Sequence, residues 1–241
     1  MTGRPFVLAS LGTAVCVFVG AFSDVFAVFT VGGDMFGAHR VILLNALKSN
    51  VMLLAVPILA AIPFSSSFAE DKRSGFLKQY LTRTDTDSYL WGKGAASMLS
   101  GGLAIVIGIF AAFFVLFLVL SPVEYFGQRA VVSLMPKVLK CSILFFLCGC
   151  LWAGVGLIAS ALFNNVYLAY AAPFISCYLL IILQERYLRG EFMVNPRNWL
   201  TLAGDWPLEG WSAHILLFVL CLACLPIFFL VASGRDRKSV V

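Results

Sequence analysis

Charged side chains are scarce in this chain. Asp, Glu, Lys and Arg make up 12% of its 241 residues and 61% are hydrophobic, whereas a soluble domain carries roughly a quarter charged residues. A water-soluble globular fold is excluded on that balance. Histidine is nearly missing: only His39 and His214 occur, neither near a nucleophile or acid pair in sequence. Hydrolytic or transfer chemistry needs such convergent groups, so no enzyme activity is expected of the chain alone. Glu70 and Asp71 are an adjacent carboxylate pair, but consecutive helix residues point in different directions. All seven cysteines fall in apolar segments. Cys221 and Cys224 have C-x-x-C spacing without a His or carboxylate in the same helix core, so no metal site is expected. Period-two alternation is missing too. Runs such as "LAIVIGIFAAFFVLFLVL" (103–120) are apolar on every face, which argues against the strands of a membrane barrel.

What is present is length in apolar runs. A hydrocarbon core of ~30 Å needs about 20 apolar residues per helix, and six stretches come near that length, at 6–31, 50–68, 94–120, 138–162, 166–184 and 213–233. The expected fold is an all-α polytopic bundle of six spans in one transmembrane domain. The first stretch follows Arg4 and runs on without a clear small-x-small cleavage site, so it is expected to be a retained span and not a signal peptide. Orientation follows Lys and Arg near the helix ends. Placing the N-terminus in the cytoplasm puts nine basic residues inside and eight outside. The dense "EDKRSGFLK" loop and the basic tail "GRDRK" then share the cytoplasmic side, with both termini.

Spacing within the spans points to close packing. The segment "SMLSGGLA" (97–104) contains most of the LSGGQ signature with which ATP-binding-cassette ATPases grip nucleotide. That signature works at a water-exposed helix N-terminus, and the chain lacks the Walker loop GxxxxGK[ST] that such an ATPase needs. Ala96, Ser100, Ala104, Gly108 and Ala112 instead form a ridge of small residues at every fourth position. Ridges of this kind let helix backbones approach closely in lipid. Similar spacing recurs at Gly12, Cys16 and Gly20, and at Trp152, Gly156 and Ser160.

The loop "FAEDKRSGFLKQYLTRTDTDSYLWGKG" (68–94) is the most informative segment. Over 70–83 the apolar residues Phe76, Leu77, Tyr80 and Leu81 mark one face of a short helix, with Lys72, Lys78, Gln79 and Arg83 on the others. Glu70 and Asp71 stand at its start, where they complement the helix dipole. The string 84–88 supplies caps for the third span, after which Tyr89 and Trp91 are expected at the interface, with Lys93 snorkelling. Such a helix suits anionic headgroups or a socket in another protein. The mixed acid and base pattern with an exposed Phe76-Leu77 pair fits the second better.

These residues carry a resemblance. The pattern F-x-E-D-x-x-S-G-F-x-x-x-Y-L-x-R (68–83), followed by Y-L-x-x-K (89–93) and a small-residue third span, resembles the ABC-2 type permeases, the membrane subunits of bacterial ABC exporters. The short six-span members encoded beside a separate ATPase are the nearest in kind. "LFNNVYLAYAAPF" (162–174) is similar to their cytoplasmic turn between spans four and five, and "NPRNWL" (195–200) to the start of their external segment. One departure is the short lead of residues 1–5, where many such permeases carry an amphipathic helix. The resemblance implies a permease subunit in the bacterial cytoplasmic membrane, working as a pair of identical or related chains. ATP and magnesium would be bound by separate ABC ATPase subunits, with no cofactor in this chain. It implies that Glu70, Asp71, Lys72, Arg73, Gly75, Phe76, Leu77, Tyr80, Leu81 and Arg83 contact that ATPase. Membrane lipid is the further partner, and no nucleic acid is expected.

Asp24 is the lone acid within an expected span and a candidate for the substrate path, though it equally suits the outer headgroups. The segment 185–212, with Trp199, Trp206 and Trp211, reads as an external or partly re-entrant cap held at the interface by aromatics. Two other functions fit the same composition: an ion-coupled secondary transporter, although the spans lack the usual coupling carboxylates, and a non-transporting membrane scaffold or immunity protein.

Overall fold

The computed structural model describes residues 3–31, 38–75, 85–122, 128–202 and 204–238. Among them the chain is all helix and turn: α1 (Gly3–Val31), α2 (Ala38–Leu47), α3 (Asn50–Ala61), α4 (Ser67–Arg73), α5 (Thr86–Leu120), α6 (Gln128–Phe163), α7 (Val166–Arg186), α8 (Pro196–Thr201) and α9 (Trp211–Lys238), with short 3₁₀ turns at Phe192–Val194 and Leu208–Gly210. Helices are what this composition allows, because a backbone in hydrocarbon must satisfy its own N–H and C=O groups. Five helices are long and apolar enough to cross a bilayer, or up to six if the bent pair α2 and α3 forms one span.

α6 is the axis of the bundle. Within its most apolar window 72% of residues are buried, against 22–39% for the other long helices, and it packs against α3, α5, α7 and α9. The outer helices turn bulky side chains such as Phe22, Phe114, Leu118 and Leu230 outward, as lipid-facing surfaces do. α5, at 35 residues, extends ~52 Å at 1.5 Å per residue, so its first turns stand beyond a ~30 Å core. A two-residue link joins α6 to α7. Asn164 adopts a left-handed φ of 49°, which Asn tolerates, and the Asn165 side chain accepts from Tyr167 N at 2.9 Å to cap α7.

Three expectations are corrected here. The stretch 50–68 is not one continuous helix: α3 stops at Ala61, and the segment ahead of it is helix α2, bent 68° from α3. Apolar side chains cause this. Ile42, Leu43, Ala46 and Leu47 are all buried, and His39 is buried against the rings of Phe113 and Phe117. At the break Ser49 is extended and caps α3 by accepting from Met52 N at 3.4 Å. α1 leaves room for the bend with Gly20, where a Cβ would lie 2.6 Å from Ser49 Oγ.

The helix expected over 70–83 opens earlier, at Ser67, and α4 ends at Arg73, while 76–83 of the expected helix lie outside the described residues. Ser74 N donates to Glu70 O, Gly75 N donates to Lys72 O, and Gly75 turns the chain away with φ +74°. A left-handed glycine is a common helix stop. Finally, two of the three cap tryptophans face inward. Trp199 is buried and stacks on Trp152 at 6.3 Å while its Nε1 donates to Met193 O. Trp206 is buried edge-on to Phe192 at 5.2 Å. An indole stabilises a core when its N–H finds an acceptor.

Candidate functional site

The densest polar network among the described residues surrounds α4. This short helix buries Phe68 and Ala69; Phe68 meets Phe228 of α9 edge-on at 5.5 Å. Its polar side chains then fasten it to the surrounding helices. Asp71 Oδ2 accepts from Lys93 Nζ and from Tyr89 OH of α5, each at 2.6 Å. Arg73 Nη2 donates to Asn164 O at the α6–α7 link, 3.2 Å away. Ala69 N donates to Ser160 Oγ of α6 at 3.0 Å. Ser66 Oγ donates to Glu70 Oε1 at 2.7 Å and lies 2.8 Å from Tyr170 OH of α7. An ionised carboxylate only accepts, so the Ser66 proton goes to Glu70 and Tyr170 donates to Ser66.

The Asp71–Lys93 pair is about one fifth exposed, at 23% and 20% of side-chain area. Two donors on one carboxylate oxygen at this degree of burial contribute roughly 1–2 kcal/mol after screening. Tyr89 and Lys93 had been expected at the headgroups. Both turn to α4, where Asp71 offers them a charged acceptor.

Of the ten residues that resemblance assigns to ATPase contact, Glu70, Asp71, Lys72, Arg73 and Gly75 lie in or just after α4. Phe76, Leu77, Tyr80, Leu81 and Arg83 lie outside the described residues. The network adds Ser66 and joins to it Tyr89, Lys93, Ser160, Asn164 and Tyr170, which sequence patterns had marked for other roles. For Ser66 the S-x-x-x-E spacing to Glu70 was the available signal.

The small-residue ridge divides between two environments. Ala104, Gly108 and Ala112 are buried, and Gly108 meets α1, where an added Cβ would lie 2.5 Å from Ser10 O and from Thr13 Cβ. Ser100 is half-buried and Ala96 exposed; both line an apolar groove of about 440 Å³ with Phe6 and Val7 of α1. Equally tight contacts belong to the neighbouring glycines of "LSGG". A Cβ on Gly101 would come 2.5 Å from Ala153 Cβ and 2.6 Å from Ala60 O. One on Gly102 would come 2.6 Å from Cys150 Sγ and 2.8 Å from Phe146 O. Here α5 and α6 cross backbone on backbone, with Gly149 opposite.

Asp24 is partly exposed on α1 and accepts from Asn45 Nδ2 of α2 at 3.1 Å. It thus joins α1 to the first arm of the bent pair. His214 links α9 to α6, its Nε2 lying 3.0 Å from Lys140 O and its Nδ1 3.1 Å from Gly210 O. Lys140 Nζ stands 5.0 Å above the Trp211 ring.

An all-helical chain with several long, lipid-compatible helices around one buried axis has the architecture of a multi-pass membrane protein. No family model, curated protein or solved structure matches the chain.

Proposed function

We propose that the chain is the permease subunit of an ATP-binding-cassette exporter, forming the translocation pathway and driven by a separate ATPase. In this reading α2 and α3 make one broken span, giving six crossings with both termini in the cytoplasm. Two such subunits, identical or related, frame one path. The ATPases, which bind ATP and magnesium, dock at the segment that follows α4, with Phe76, Leu77 and Tyr80 as apolar anchors. Their closure pushes on α4 and shifts the bundle outward; hydrolysis resets it.

The observation that supports this reading is the fastening of α4. One seven-residue helix bonds or packs to α5, α6, α7 and α9, so a force on the adjoining loop reaches four helices at once. An ordinary surface loop has no need of such attachment. The residue pattern over 68–83, similar to that of ABC-2 permeases, points the same way.

The first test is to purify the tagged chain in mild detergent from its native host and identify by mass spectrometry what accompanies it. A stoichiometric subunit bearing Walker A and LSGGQ is the expected result. Recovery of the chain alone, under conditions that preserve a known ABC complex, sinks the proposal and favours a secondary transporter or scaffold. A Phe76→Asp, Leu77→Asp double variant should abolish ATPase association while the bundle still folds. Unchanged association would remove the assigned contact.

A further inference from the structure

A slot of about 280 Å³ opens between α3, α7 and α8, at the mouth opposite α4. Two helices supply facing stripes. Asn50, Leu53 and Leu54 recur at i, i+3 and i+4 on α3, and Tyr178, Ile181, Ile182 and Glu185 recur at i, i+3, i+4 and i+7 on α7. Such spacing aligns side chains along one helix face. Asn50 begins α3 and Glu185 nearly ends α7, so the polar residues gather at one end and the apolar ones trail below. From Glu185 to Tyr178 the stripe descends ~10 Å at 1.5 Å per residue.

The polar end carries both signs of charge. Arg197, on α8, reaches the slot and donates from Nη2 to Asn50 Oδ1 at 3.2 Å, which steers its guanidinium. Glu185 lines the same slot, and no ion pair joins it to Arg197. Arg189 turns its Nε to the Glu185 main-chain oxygen, 3.1 Å away, and so leaves that carboxylate to the slot. The apolar part opens sideways: Leu54 is 44% exposed, Ile182 40% and Tyr178 53%, all on helices with lipid-facing surfaces.

We propose that this slot binds one zwitterionic phospholipid of the phosphatidylethanolamine type. The phosphate sits on Arg197, whose donor fork suits phosphate oxygens. The ammonium sits on Glu185, and the upper part of one acyl chain lies along Leu53, Leu54, Ile181 and Ile182. Charges of opposite sign that line the polar end of one apolar slot match a headgroup that carries both. A purely anionic headgroup meets Glu185 as a like charge. Binding in this slot requires only that these helices lie in a bilayer, and it stands whether or not an ATPase docks.

The test uses the full chain, reconstituted in vesicles of equal parts phosphatidylethanolamine, phosphatidylglycerol and phosphatidylcholine, then extracted in mild detergent for native mass spectrometry. The wild type should retain phosphatidylethanolamine over phosphatidylglycerol by about fivefold or more, a modest difference in binding free energy. Glu185→Gln should bring the two lipids to within about twofold, and Arg197→Gln should lower retention of both by about fivefold or more. Leu54→Trp, which fills the slot, should do the same. If that variant fails to fold, the two polar variants, at exposed positions, decide. Equal or greater retention of phosphatidylglycerol by the wild type overturns the proposal. So does retention that Arg197→Gln leaves unchanged. Displacement of the lipid by free phosphoethanolamine at matched concentration would make the site one for a soluble headgroup and overturn the lipid assignment.

Discussion

At Asp71 one carboxylate oxygen accepts from both Tyr89 and Lys93 at 2.6 Å, so each residue of the trio has a separable expected effect. Asp71→Ala leaves an ammonium and a hydroxyl without their acceptor in a site about one fifth exposed. It should lower stability by about 1–3 kcal/mol, read as a fall in melting temperature in detergent. Lys93→Met leaves the carboxylate with the Tyr89 donor and should cost less than Asp71→Ala. The reverse order would mean that Lys93, not Asp71, is the centre of the network. Glycine gives a second contrast within α5. Gly101→Val drives a branched side chain into Ala153 and the Ala60 carbonyl and should destabilise by about 1–3 kcal/mol or more through overpacking. Gly92→Ala, on the same helix with nothing within 4 Å of the added Cβ, should be neutral or stabilise by up to about 1 kcal/mol through helix propensity. Thermal melts of the two variants check both directions.

α4 is the element on which the functional reading rests, and its main-chain attachment to α6 is made through one hydroxyl. Ser160 Oγ accepts from the buried Ala69 N–H at 3.0 Å. Ser160→Ala strands that donor, and an unmet buried N–H costs about 1–3 kcal/mol. In an ATPase-coupled permease the same change should weaken ATP-driven transport more than ATPase docking, because docking uses the loop beyond α4. Loss of docking to the same degree as transport would place the contact on α4 itself. How much of this element was legible is plain from its residues. Glu70 in the first turn of a helix followed from its sequence position, whereas Asp71 lies fifth of the seven residues of α4; the start of α5, whose N-cap is Asp85, followed from the capping string 84–88. The end of α4 at Arg73 was not legible, because the left-handed φ of Gly75 is a backbone choice that apolar periodicity does not report.

Across the whole molecule, the bent pair α2 and α3 decides topology by parity. If the pair crosses as one broken span, the termini lie on the same side; if it re-enters, they lie on opposite sides. We expect the first. Protease protection of tags at the two ends, in sealed inverted vesicles, should expose both together. Exposure of one alone would mean re-entry and reverse the side assigned to α4. Packing at the centre bears on the same question, since α2 is held by His39 between Phe113 and Phe117 and by Gly20 opposite the break. These contacts hold the 68° bend.

The sequence by itself determined the class: scarce charge, long apolar runs and no alternation leave helices in a membrane, because run length and composition are local quantities that lipid reads directly. It also determined that small residues would line close helix contacts. Only the tertiary structure decided which of them touch, that Gly101 and Gly102 carry the crossing with α6, and that Trp199 and Trp206 turn inward. It alone joined Asp71 to Lys93 across 22 residues and Ala69 to Ser160 across 91. Those choices depend on partners far along the chain, where neither periodicity nor propensity reaches, and packing settles them by satisfying buried donors and filling space.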